Sequence, residues 1–144
     1  MSSRFTLIFS IILGFIIGSF TNMGFIVLGD LAFPWPPEVM AQLENETLTH
    51  LDMLNTTHYI FPFLAHALGT LVGAVVALRV AGQDQPIVAW IVGVLFLVGG
   101  VYMVNLLPAP LWFEMLDLLV AYLPMSYLGI MFYEKYFASE PIKN

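Results

Sequence analysis

Residues 5–27 read FTLIFSIILGFIIGSFTNMGFIV, without one charged side chain. At about 1.5 Å of rise per residue, a helix of that length exceeds the roughly 30 Å hydrocarbon core of a bilayer. The stretch decides the fold class, because a helix apolar all round has no face to offer water. It predicts a first membrane span over about 5–28. A secretory leader is the competing reading, but the run is too long for one. Gly18-Ser19-Phe20 also lacks the small-x-small cleavage pattern, so the span is expected to be retained.

Three further stretches follow suit. Residues 59–78 form an apolar run uncharged apart from His66, which Arg79 and the turn Gly82-Gln83-Asp84-Gln85-Pro86 bring to a stop. A third span covers about 87–107. Pro108-Ala109-Pro110 then denies the helix its donors and turns the chain back into a fourth, about 111–133. The expected fold is an all-α integral membrane protein, a four-transmembrane-helix bundle in which residues 1–144 form a single membrane domain.

Orientation follows from the basic residues. Arg4, Arg79, Lys135 and Lys143 all fall on one side of a four-span topology, and the other side has none. The positive-inside rule then places both termini in the cytoplasm, N-in and C-in, with a bacterial inner membrane as the expected location. The long connection, 29–58, becomes an outer loop. Phe33-Pro34-Trp35-Pro36-Pro37 opens it with aromatics suited to the interface, and Pro37 is placed to start a short interfacial helix over Glu38–Glu46. The simplest expectation is a connector resting on headgroups; a lid or docking element is the alternative. Asn45-Glu46-Thr47 and Asn55-Thr56-Thr57 match the glycosylation acceptor pattern, which is short and common.

Composition agrees. The chain is 60% hydrophobic and 10% charged, with a mean hydropathy of +0.89. Lipid is therefore the expected solvent and partner, and little chain remains for a soluble module. The net charge of -6 is local, since Asp30, Glu38, Glu44, Glu46 and Asp52 share one connection. Four basic residues cannot neutralise a run of phosphates, which excludes a nucleic-acid partner. The lack of cysteine excludes disulfides, thiolate metal sites and a thiol nucleophile. No cofactor is indicated.

Small residues recur at four-residue spacing as Ser10, Gly14 and Gly18 in span one, and as Ala65, Gly69, Gly73 and Ala77 in span two. Such seams let helix backbones approach closely. Packing within the bundle is the first expectation, and a homo-oligomer or a larger membrane complex the second.

Charge in hydrocarbon is costly, roughly 2.5–3.5 kcal/mol at a helix centre, so each polar residue in a span needs a reason. The candidates are Asn22, His66, Thr70, Tyr102, Asn105, Glu114 and Asp117. With spans alternating in direction, they reach similar depth in the outer third. One reading leaves Glu114 and Asp117 hydrated at the start of span four, favoured by the helix dipole. The other brings His66 against one or both carboxylates in an outward-opening cavity, as a ligand, proton or cation site. His66, Glu114 and Asp117 make a weak metal candidate because their spacing matches no metal motif. The eight methionines show no Met-x-x-Met cluster and are read as apolar filler. Pro124, inside span four, predicts a kink or hinge.

The favoured function is a transporter-like or ligand- or cation-binding membrane protein. The alternative is a non-catalytic accessory or assembly subunit of a larger complex. A lesser alternative is an intramembrane enzyme acting on a lipid, with His66 and a carboxylate as base and orienter; no nucleophile elbow, zinc-protease helix or phosphate loop supports it. In span number the chain resembles small multidrug exporters, yet it lacks the membrane-embedded glutamate they carry in span one. Its resemblance to sterol-isomerase-like four-helix proteins is one of architecture, and neither likeness transfers a residue role.

Overall fold

The computed structural model describes residues 3–45, 54–82, 85–107 and 109–137. Among these there is no strand. The helices are α1 (Ser3–Ala32), α2 (Pro37–Glu44), α3 (Ile60–Ala81, entered through a 3-10 turn at Thr56–Tyr59), α4 (Ile87–Leu106), α5 (Leu111–Val120) and α6 (Leu123–Tyr136). Four stretches are long and apolar enough to cross a membrane: Arg4–Ala32, Thr56–Ala81, Ile87–Leu106 and Leu111–Tyr136.

Helices end where donors fail, not where apolar sequence ends. Helix α1 continues past residue 28, and the Phe33 N–H still donates to Gly29 O at 2.8 Å. Pro34, without an N–H, cannot continue the ladder. Helix α3 likewise runs past Arg79 until Gly82, whose φ of 99° only glycine adopts cheaply and whose N–H caps Leu78 O at 2.9 Å. Helix α2 starts at Pro37 as its sequence indicates, and ends at Glu44. Glu46, Thr47, Asp52, Gln83, Asp84, Pro108 and Lys143, which entered the sequence reading, lie outside the described residues.

Helix α3 is the centre of the bundle and touches α1, α4 and α6. The two small-residue seams face each other across an antiparallel α1–α3 pair. A Cβ built on Gly14 would lie 2.5 Å from Gly73 O, and one on Gly18 would lie 2.5 Å from Gly69 O. Backbone meets backbone there, and neither side can give way. Helix α4 contributes Ala89, Val92, Gly93, Phe96 and Gly100, which recur at three- and four-residue spacing on its buried face. The rest of α1, including Phe5, Ile12, Phe20, Val27 and Leu31, forms an exposed apolar surface.

The fourth apolar stretch is broken. Helix α5 stops at Val120, Tyr122 leaves the helical region at φ -118°, ψ -83°, and α6 resumes at Leu123 with Pro124 in its first turn. The ring of Pro124 cannot donate to the carbonyl four residues earlier and crowds it, which accounts for the interruption.

At the end of the bundle where α1 and α4 finish, a second cluster forms. Val39 of α2 is fully buried with Leu54, Tyr59 and Phe113, and Trp35, Leu107 and Ala109 pack against them. Through Trp35, Val39 and Leu54, the described parts of the connection thus pack onto this end of the bundle. At the opposite end, the Arg79 guanidinium sits 4.4 Å from the Phe137 ring centroid and joins α3 to the end of α6.

Candidate functional site

Asp117 stands one turn before the break in the fourth stretch and is 4% exposed. A carboxylate out of water must find donors. Two side chains supply them: His66 Nδ1 approaches Oδ1 at 2.9 Å and Oδ2 at 2.8 Å, and the Tyr122 hydroxyl donates to Oδ2 at 2.8 Å. The His66 and Tyr122 rings lie nearly parallel, 5.6 Å between centroids. With the carboxylate accepting the proton of Nδ1, the other nitrogen, Nε2, has no hydrogen-bond partner among the described residues.

The helix break is what assembles this trio. Residues five apart on an unbroken helix differ by about 140° in direction, so Tyr122 would point away from Asp117. Interruption at Ala121–Tyr122 returns the phenol to the carboxylate. Gly100 of α4 makes room for it, since a Cβ there would overlap the Tyr122 hydroxyl and lie 2.5 Å from Cζ. Tyr122 and Gly100 were not among the residues singled out from sequence. Pro124 two residues on was the only local signal, because it marks where helical geometry ceases to predict direction.

The other candidates separate. Glu114 Oε1 accepts the Ala109 N–H at 2.9 Å and so serves the corner that starts α5, though it also lines the cavity described below. Thr70 donates to His66 O at 2.8 Å and Asn105 to Val101 O at 2.7 Å, each within its own helix. Tyr102 is 63% exposed, and neither it nor Asn105 or Thr70 lines the cavity. Asn22 does line it. Among the described residues no three His, Asp or Glu side chains converge as a metal site, so His66, Glu114 and Asp117 do not assemble as one.

A cavity of about 400 Å³ opens beside His66 and Asp117, between α1, α3, α4 and α5. Met23, Ile26, Met103, Val104 and Phe113 give it apolar walls, with Trp35, Leu54 and His58 of the connection at its mouth. Among the described residues, no Ser, Thr, Lys or Arg lines it. His58 stands between two carbonyls, Asn55 O at 3.2 Å from Nδ1 and Pro34 O at 3.3 Å from Nε2. Either neutral tautomer can donate to one of them, and the doubly protonated ring to both. His58 therefore straps the 3-10 turn to the end of α1.

Removing the phenol tests how tightly the trio is held. Tyr122→Phe is expected to cost roughly 1–3 kcal/mol, because Asp117 loses a donor in a site water does not replace. Gly100→Ala, which displaces the same hydroxyl, should cost a similar amount. Unfolding in a mixed detergent series would measure both, and wild-type stability in both would show that the hydroxyl bond contributes nothing. Comparison of the chain with known protein families, with characterised proteins and with solved structures finds no match.

Proposed function

We propose that the chain is a multi-pass membrane protein that binds a largely apolar small molecule, oriented by one hydrogen bond to Nε2 of His66. One observation carries this reading. A buried carboxylate and a partly buried imidazole are held together at the wall of a mainly apolar cavity, with Nε2 of the imidazole unpartnered among the described residues. Packing alone does not call for such a pair, since apolar side chains of similar volume often serve stability as well or better. Ligand pockets commonly combine apolar walls with a few polar groups, in volumes of about 300–1,000 Å³.

The cavity opens at the end of the bundle opposite Arg4, Arg79 and Lys135. With both termini in the cytoplasm, under the positive-inside rule, it faces outward beneath the connection between α1 and α3. The other half of the bundle is filled by Ala74, Ala77, Leu78, Val88, Val92 and Phe96. Binding is therefore the activity this conformation supports. Transport would need the inner half to open, for which the break at Ala121–Tyr122 is the natural hinge. A bilayer accounts for the apolar outer face of α1, so that face gives no separate support to an accessory-subunit role.

Native mass spectrometry of gently purified protein is the direct test. Wild-type chain should retain a small molecule that His66→Ala, folded to the same extent, releases. Equal retention by both would remove His66 from the site.

A further inference from the structure

Resting on the reading of the cavity as a ligand site, we propose that the ligand's polar group is a cation, a primary ammonium carried on an apolar or aromatic body. Glu114 and Asp117 both line the cavity. The further described carboxylates at this end, Asp30, Glu38 and Glu44, are exposed around it. The described basic residues, Arg4, Arg79 and Lys135, lie at the opposite end of helices about 30 Å long. Among the described residues, the only groups beside the cavity that can carry positive charge are the imidazoles of His66 and His58. Apolar walls weaken screening, so the field of the two carboxylates reaches through the cavity.

The two carboxylates also carry a surplus of acceptors. Asp117 takes three short contacts on its two oxygens, and Glu114 uses Oε1 for Ala109 N–H and leaves Oε2 without a partner among the described residues. Each carboxylate oxygen has two lone-pair directions, so both groups keep accepting capacity towards the cavity. An ammonium brings three donors and no acceptor, which complements that surplus; a carboxylate ligand would add to it. Tyr59 and Phe113 belong to the same wall, and aromatic surroundings favour a cation over an isosteric alcohol.

Three probes of one shape separate the possibilities: phenethylammonium, phenethyl alcohol and phenylacetate, titrated calorimetrically into the full chain in nanodiscs, with empty nanodiscs as the blank. The ammonium is expected to bind at least about tenfold more tightly than the alcohol, with no detectable phenylacetate binding. Glu114→Gln, which keeps the acceptor for Ala109 N–H, should reduce that preference by about tenfold, and Asp117→Asn should abolish it. Because Glu114→Gln leaves the Asp117 trio intact, a folding failure of Asp117→Asn would still leave the charge dependence measured. Equal binding of ammonium and alcohol, or a preference for phenylacetate, would overturn the cation assignment while leaving the cavity a ligand site. If none of the probes binds the wild-type chain, the ligand-site reading itself falls.

Discussion

Leucine at His66 alone, or at Asp117 alone, is expected to destabilise the folded chain by about 3–5 kcal/mol, and either single change should cost more than the pair His66→Leu/Asp117→Leu. Each single change strands a partner: His66→Leu leaves a 4%-exposed carboxylate with Tyr122 as its remaining side-chain donor, and Asp117→Leu leaves a partly buried imidazole without its acceptor. Removing both removes the stranded group. The double variant still orphans the Tyr122 hydroxyl, so adding Tyr122→Phe should recover further stability. Reversible unfolding of the single, double and triple variants measures the non-additivity. Simple additivity of the single costs would mean that the 2.8 Å contact of His66 with Asp117 carries no coupling. The triple variant also separates stability from function: if the trio exists to hold a ligand, that variant folds and binds nothing.

The second large effect lies in the α1–α3 seam. Gly14→Ala and Gly18→Ala are each expected to cost roughly 1–3 kcal/mol as overpacking, and more in combination, because each new methyl meets a carbonyl of α3. Gly24→Ala and Gly99→Ala provide the contrast. A Cβ at either position meets nothing within 4 Å. Alanine is also the better helix former, by up to about 1 kcal/mol, so these two should be neutral or stabilising. Loss of stability in all four variants alike would mean that glycine matters here for something other than close approach. Weakening of the seam should also loosen the cavity, since Asn22 lies one turn beyond Gly18 and is contacted at Gly69.

The trio and the seam differ in how far they could be read in advance. Both seams stand in the sequence as residues four apart, because helical period alone puts them on one face. That they face each other is a fact of helix rotation and antiparallel register, which the spacing does not contain. Glu114 and Asp117 show the same limit more sharply. Three residues apart, they share a helical face within about 60°, yet one turns to a backbone N–H at the corner and the other to His66 across the bundle. The His66–carboxylate contact considered from sequence thus forms with Asp117, while Glu114 serves the corner.

What the sequence by itself determined is what accumulates locally along the chain: four apolar stretches long enough to cross a bilayer, the helix started by Pro37, the break announced by Pro124, and basic residues gathered at one end. Length, apolarity and missing donors act on neighbouring residues and need no knowledge of the rest. What only the tertiary structure decided is which polar side chains meet. It placed Thr70, Tyr102 and Asn105 away from the cavity lining, set His66 against Asp117, and brought in Tyr122 through a space left by Gly100. Those outcomes depend on the rotation of each helix about its axis and on the direction in which a broken helix resumes, and packing of the whole bundle sets both.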